Sequence, residues 1–211
     1  PIKKAIKTAA AMQISEEWIL IHDDIEDKSA MRRGKPTLHK IYGHGLAINA
    51  GDSLHIIMWK ILNDQASKAV NEEFYRMLIR TAIGQGVEQI WTNNHKKYLT
   101  DSEYFFIADS KSAYYSIAGP MRLGAILAGI SPDQIEKITE FGLYLGRCFQ
   151  LVDDILDLEQ DKKEGKTTIA SLKGVAYAKR LAIEAKTNAL KIFDKKLGFL
   201  SHEPARSELK E

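Results

Sequence analysis

Two short acidic runs in this chain share one spacing. His22-Asp23-Asp24-Ile25-Glu26-Asp27 is the first, and Val152-Asp153-Asp154-Ile155-Leu156-Asp157 is the second. On a helix, positions i and i+4 project from one face a turn apart, so Asp23 pairs with Asp27 and Asp153 with Asp157. Like charges at that spacing oppose the helix unless something neutralises them. Solvent is a poor neutraliser here, because Trp18, Ile19, Leu20 and Ile21 precede the first run and Leu145, Phe149 and Val152 the second. A hard divalent ion such as Mg²⁺ resolves the conflict, since it pairs one or two carboxylates with substrate phosphates. A solvated acidic helix end would account for either run alone. Two runs of identical form weigh against that reading.

A basic segment follows the first run. Arg32-Arg33-Gly34-Lys35-Pro36 begins five residues after Asp27. A guanidinium meets phosphate oxygens with a planar fork that Lys cannot copy, and two adjacent arginines can serve two phosphate groups. The plainer reading is a positive turn complementing a helix dipole; beside a metal–phosphate site the functional one is favoured. Lys111, in Asp109-Ser110-Lys111-Ser112, and Lys166, in Glu164-Gly165-Lys166-Thr167, read from local chemistry alone as surface lysines.

The elements that must position these groups are helices. The sequence has few alternating β-branched runs and 5 prolines in 211 residues, which predicts an all-α chain. From Lys4 to Asp27 there is no Gly or Pro, and Ala, Ile, Met and Trp recur at three- and four-residue spacings, predicting a long helix with a broad buried face. The stretch 27–42 reads as a helix end and loop; Leu46–Leu62 and Asn71–Trp91 read as helices. A helix opening on Asp101-Ser102-Glu103 is expected to end at Gly119-Pro120, with another over Met121–Ala128. Ser131-Pro132-Asp133 marks a new start, with Ser131 as N-cap, and that helix should reach Glu159. A charged loop over Gln160–Thr168, including Gly165, and two further helices broken near Gly198 and Ser201 complete the expectation. No linker or repeat divides the chain, so one domain is expected over 1–211.

Composition bounds the function. Hydrophobic residues make up 45% of the chain, enough for a substantial core, and the net charge of +2 lacks the basic excess of a nucleic-acid binder. The single cysteine, Cys148, reads as a buried structural thiol and fits a reducing cytoplasm. Neither a leader of basic–apolar–small type nor an apolar stretch of ~18 residues is visible, so no membrane span is expected.

At this point the motifs carry a resemblance. Leu20-Ile21-His22-Asp23-Asp24-Ile25-Glu26-Asp27, followed by Arg32-Arg33-Gly34-Lys35-Pro36-Thr37, resembles the first aspartate-rich motif of trans-isoprenyl (polyprenyl) diphosphate synthases. Phe149-Gln150-Leu151-Val152-Asp153-Asp154-Ile155-Leu156-Asp157 resembles the second, and Ala50-Gly51-Asp52, Gly84-Gln85 and Lys111-Ser112 fall on matching segments between them. The resemblance covers nearly the whole chain and is strongest to archaeal geranylgeranyl diphosphate synthases.

It implies a single-domain helical bundle of the isoprenoid synthase type, with a central active-site cavity. Asp23, Asp24 and Asp27 would hold Mg²⁺ against an allylic diphosphate from one side, and Asp153, Asp154 and Asp157 from the other. Arg32, Lys111, Lys166 and Gln150 would bind that substrate, and Arg33 would hold isopentenyl diphosphate. Gln85 and Ser112 would stabilise the allylic cation formed when pyrophosphate leaves, and the isopentenyl double bond would attack that cation. Trp18 and Ile19, five and four residues before Asp23, would floor the product tunnel and favour geranylgeranyl or farnesyl diphosphate; for Trp18, simple core packing weighs equally. A homodimer through the middle helices is also implied.

The sequence departs from the family pattern in places. The family usually opens with a helix and a Gly-Gly-Lys-Arg-type loop for isopentenyl diphosphate, and neither precedes the first motif here. The loop after Asp157 carries one Gly-Lys element where two are expected. Gln13 and Glu16 stand where Glu and His are common, and Ser112 where Thr is. Three rivals are weighed: a terpene cyclase, against which the second motif's Asp153-Asp154-Ile155-Leu156-Asp157 speaks; a non-catalytic regulatory subunit, which would usually have lost aspartates that this chain keeps; and a helical scaffold with surface acids, which would leave the matched runs and the arginine pair unexplained.

Overall fold

Helix forms over most of the runs without Gly and Pro, and in several places that contain them. The computed structural model describes residues 2–65, 67–164 and 166–210. They divide into two compact units, Pro1–Glu72 and Glu73–Glu211. Among the described residues the fold is all-α apart from one hairpin of two two-residue strands, and no helix is long and apolar enough to cross a membrane.

In the first unit, α1 spans Ile2–Glu26 and α3 spans His44–Gln65. They run antiparallel: Trp18 lies against His55 while His22 lies over Gly51. The buried residues of α1 among those described are Thr8, Ala11, Ser15 and Asp24, with Met12, Ile14, Trp18, Ile19, Leu20 and Ile21 half-buried, and α3 opposite buries Ala47, Met58 and Leu62. The deepest line is one of small residues, set within the broader half-buried apolar face. Small side chains let the two backbones approach, and at Gly51 even a methyl group would overlap the His22 ring.

The end of α1 is shaped by its backbone. The Ser29 amide donates to the Asp24 carbonyl at 3.0 Å and the Lys28 amide to the Ile25 carbonyl at 3.2 Å, with Lys28 left-handed at φ 58°. That is a Schellman termination with Lys where Gly is usual. The segment expected as loop then forms strands β1 (Met31–Arg32) and β2 (Lys35–Pro36) and a short helix, α2 (Leu38–Tyr42). The two-residue tip, Arg33-Gly34, has positive φ at both positions, 51° and 76°, as the primed hairpin turns require.

The boundary between the units falls within α4 (Lys68–Asn93). Then come α5 (Asp101–Ile107), a π-helical stretch over Ala108–Ala118, α6 (Gly119–Leu127), α7 (Pro132–Leu156), α8 (Leu158–Glu164), α9 (Ile169–Lys173), α10 (Val175–Lys196) and α11 (Ala205–Lys210). Thr100, not Asp101, caps α5, through a capping box with Glu103. Ser131 caps α7 as expected, in a box with Gln134 and with Pro132 in the first turn.

Two boundaries differ from expectation. Helix continues through Gly119-Pro120, because the Gly119 amide bonds five residues back to the Tyr114 carbonyl. Pro120 then enters the first turn of α6, where a missing N–H costs little. Nor does α7 reach Glu159. At Asp157 the backbone leaves helical geometry (φ −95°, ψ 10°), and its carbonyl accepts from Gln160 and Asp161 at 2.8 and 2.9 Å, starting α8. The charged loop is thus helical as far as Glu164: acids in its first turn and lysines in its last complement the dipole. Gly165 lies outside the described residues.

Apolar clusters hold the second unit together. Leu99, Tyr104, Leu151, Ile169 and Leu181 anchor one, and Ile135, Phe141, Ile192, Phe193 and Leu197 the other. The π-helical stretch is gripped through glycines. A Cβ on Gly84 of α4 would lie 2.8 Å from the Lys111 amide nitrogen, one on Gly142 of α7 would lie 2.8 Å from the Ala118 Cα, and one on Gly146 would overlap Ala113. Gly146→Ala is expected to cost about 1–3 kcal/mol by overpacking, read from urea denaturation. Gly198→Ala, with open space around it, should stay within about 0.5 kcal/mol of the parent.

Candidate active site

The first acidic run closes α1 in the first unit. Asp24 is buried there at 6% exposure, and a buried carboxylate needs donors. Arg32 supplies them: its Nε donates to Asp24 Oδ1 at 2.7 Å and a terminal nitrogen donates to Asp23 Oδ2 at 3.2 Å. Burial still pushes the Asp24 carboxyl above its ordinary value, with Arg32 pulling the other way and Asp23 adding to the rise. Asp27 sits just past the helix end, its amide bonded to the Asp23 carbonyl at 2.8 Å. Across the hairpin tip, Arg33 points elsewhere, to Glu16 at 2.9 Å and Glu17 at 3.5 Å. Gln13 donates to both of these glutamates. Trp18 and Ile19 are half-buried one turn earlier. The Trp18 ring packs 4.7 Å from His55 and 5.8 Å from His22, and Trp59 donates to His55 at 2.9 Å.

The second acidic run closes α7 in the second unit. Asp154 is buried at 4% exposure, and both its oxygens are engaged: Tyr104 donates to Oδ2 at 2.7 Å and Gln150 to Oδ1 at 2.7 Å. These donors are neutral, and burial lifts the Asp154 carboxyl to about 6, with Asp153 and Glu88 adding to the rise and the two hydrogen bonds opposing it. Asp153 and Asp157 are exposed. Asp153 is also raised, by its partial burial and then by Asp157, while Lys166 draws it down. Lys166 is half-buried, with its amide on the Asp161 carbonyl at 2.9 Å.

Where Gly84 meets the π-helical stretch, Lys111 donates to Glu88 at 2.5 Å, Glu88 following Gln85 by three residues on α4. Ser112 is half-buried beside Lys111. Phe149, Val152 and Leu156 of α7 are exposed beside Asp153, giving that face an apolar margin next to its carboxylates.

Each unit therefore presents oxygen donors with cationic side chains alongside. Among the described residues no three His, Cys, Asp or Glu side chains converge to hold a metal by themselves. The carboxylates of either run are oxygen donors of the kind that Mg²⁺ takes, one or two at a time, alongside water and substrate phosphates.

Compared with known proteins, residues 1–188 match the family model described as polyprenyl synthetase. The chain belongs to that family. A geranylgeranyl diphosphate synthase of Saccharolobus solfataricus is 35% identical over 194 residues, which make up 83% of this chain and 58% of the relative. The chain spans between half and three fifths of this and the similar relatives from Sulfolobus acidocaldarius and Methanocaldococcus jannaschii. The structure of a geranylgeranyl pyrophosphate synthetase from the archaeon Geoglobus acetivorans superposes with a TM-score of 0.87 at 26% identity, covering 100% of this chain and 79% of that one. A geranyltransferase from Helicobacter pylori, complexed with magnesium and isoprenyl diphosphate, gives 0.78 at 26% identity, covering 97% and 70%.

The polyprenyl synthetase chain thus brings Asp23, Asp24 and Arg32 together in one unit, and Gln150, Asp153, Asp154 and Lys166 in the other. Lys111 is joined to Glu88, which the sequence reading passed over although it lies one turn from Gln85. Tyr104 was also passed over: it binds Asp154 from 50 residues away, and no local pattern announces such a pair.

The Asp154 shift gives a pH test. The unfolded chain releases this proton near 3.8 and the folded one near 6, so between those values the folded state holds more protons. Stability from this group therefore falls as pH rises through that window and levels off above it, by on the order of 2–3 kcal/mol in all. Urea midpoints of wild type and Asp154→Asn, in EDTA from pH 4 to 7.5, should show this fall as the difference between the two curves.

Proposed function

We propose that the chain is a Mg²⁺-dependent prenyltransferase that condenses isopentenyl diphosphate with an allylic diphosphate to make a short-chain trans-prenyl diphosphate, geranylgeranyl or farnesyl. Residues 1–211 are read as one such catalytic domain. The observation that carries the proposal is Arg32 clamped onto Asp23 and Asp24. A guanidinium and two carboxylates already in contact form a site that exchanges internal pairing for pairing with a metal and an anionic diphosphate. The relatives named as geranylgeranyl diphosphate synthases and the magnesium and isoprenyl diphosphate in the Helicobacter pylori complex support the same reading.

Bound Mg²⁺ supplies positive charge that makes diphosphate a better leaving group. Asp23, Asp24 and Asp27 offer oxygen donors at the end of α1, and Asp153 and Asp157 offer exposed ones at the end of α7. Asp154, with both oxygens taken by Tyr104 and Gln150, orients the second run more than it ligates. Arg32, Lys111 and Lys166 bind diphosphate oxygens and stabilise the charge that develops on them as the C–O bond breaks. Arg33 holds isopentenyl diphosphate. Gln85 and Ser112 turn side-chain dipoles toward the allylic cation. The isopentenyl double bond then forms the new C–C bond, and the adduct loses a proton to the departing pyrophosphate. Trp18, fixed against His55, limits product length.

A homodimer belongs to the proposal. Tyr75, Ile79, Ile83 and Ile90 of α4 are exposed at 51–58%, an apolar stripe at helical spacing that a second copy would cover.

The test incubates the full-length protein with Mg²⁺, isopentenyl diphosphate and labelled farnesyl diphosphate and resolves the products by length. A geranylgeranyl product is expected, with turnover reduced by about 10²-fold or more in Asp23→Ala and Asp153→Ala. Trp18→Ala should lengthen the product. Absence of turnover with every allylic primer would overturn the reading in favour of a regulatory subunit, and a cyclic hydrocarbon product in favour of a terpene cyclase.

A further inference from the structure

The β1–β2 hairpin carries Arg32 and Arg33, yet little within it fixes its position. It has only the residue pairs Met31↔Pro36 and Arg32↔Lys35, and Pro36 has no amide hydrogen to give. A two-stranded ribbon does not hold itself together in water. Its anchor is at the base, where the Thr37 amide donates to the Ala30 carbonyl at 3.1 Å and the Thr37 hydroxyl donates to the Ser29 carbonyl at 2.8 Å.

Thr37 stands at the N-cap of α2, where a Thr hydroxyl ordinarily accepts from the backbone of its own helix. Here it makes no such bond. Its oxygen lies instead 3.2 Å from His39 Nδ1. A carbonyl can only accept, so the single hydroxyl hydrogen goes to Ser29, and the imidazole must be the donor, from Nδ1. That selects the Nδ1–H tautomer and leaves the lone pair on Nε2, which is buried with no hydrogen-bond partner. Thr37 and His39 are 3% and 5% exposed, so water is not at hand to replace either bond. Burial, with Lys40 and His44 alongside and Asp24 opposing, holds the imidazole below its ordinary pKa.

We infer that His39 is a positioning residue for the arginine hairpin: its Nδ1–H turns the Thr37 hydroxyl onto the Ser29 carbonyl, closing the base of the hairpin and holding Arg32 over Asp23 and Asp24. His39 acts through Thr37, not on substrate. The kinetic part of the inference rests on the prenyltransferase reading; the structural part does not.

The tautomer is read directly by nitrogen NMR of the full-length protein labelled at histidine. Nδ1 is protonated in the wild type and in Thr37→Ser, and this preference is lost in Thr37→Val. A wild-type ring protonated at Nε2 would overturn the inference. Two substitutions then separate positioning from bulk stability. His39→Asn places its amide nitrogen where Nδ1 was, and His39→Gln places its own where Nε2 was. Exchange of the backbone amides over 30–37 should be faster in His39→Gln and close to wild type in His39→Asn, even where the two variants melt together. KM for both diphosphates should rise about 10-fold in His39→Gln, the effect of one lost hydrogen bond, and stay within about 3-fold of wild type in His39→Asn. Equal exchange and equal KM in the two variants would sink the idea. If the protein turns over no diphosphate at all, the prenyltransferase reading fails, while the tautomer and amide exchange still decide the role of His39.

Discussion

A carboxylate taken out of water must find donors, and the two acidic runs meet that demand differently. Asp24 is answered by a guanidinium, Arg32, at 2.7 Å. Asp154 is answered by a phenol and an amide, Tyr104 and Gln150. A charged donor offsets the buried charge itself; neutral donors satisfy lone pairs but leave the charge in place. This is why the Asp154 carboxyl rises to about 6. The two runs look alike in sequence, yet Asp24 has a guanidinium in contact, whereas Asp154 has neutral donors and the cation of its run, Lys166, acts on Asp153.

The rest of the architecture keeps those donors where they are. Gly51 lets α1 approach α3 beside His22, and Gly84, Gly142 and Gly146 let α4 and α7 approach the π-helical stretch around Lys111. Close backbone contact fixes helix register more stiffly than long side chains do. The capping boxes at Thr100 and Ser131 fix where α5 and α7 begin. Tyr104 is thereby placed four residues into α5, and the second acidic run near the far end of α7.

Much of this was legible in the sequence, because it depended on local rules. The paired aspartates, the start at Ser131-Pro132 and the long helices free of Gly and Pro follow from spacing and capping. What escaped depended on partners distant in the chain or on backbone geometry with no compositional sign. Helix was expected to stop at Gly119-Pro120, where a bond five residues back carries it through. The stretch after Asp27 read as loop because a hairpin with so few residue pairs has no alternating pattern to show. The buried face of α1 was expected from its Ala, Ile, Met and Trp, and among these Ala11 is fully buried and the larger ones half-buried, while the polar Thr8 and Ser15 join the deepest line because helix contact favours small side chains there. Neither the Tyr104–Asp154 pair nor the Glu88–Lys111 pair has a local signature.

The hairpin tip has one more consequence, for how the chain tolerates change. Arg32 and Arg33 are chemically identical, and only the tight turn at Arg33-Gly34 decides that one meets Asp23 and Asp24 while the other meets Glu16 and Glu17. One residue inserted or deleted at the tip would leave composition and net charge almost untouched and still exchange the addresses of the two guanidinium groups. The segment can thus be conservative in chemistry and unforgiving in length, and a variant library that varies residue type there would sample far less functional difference than one that varies spacing.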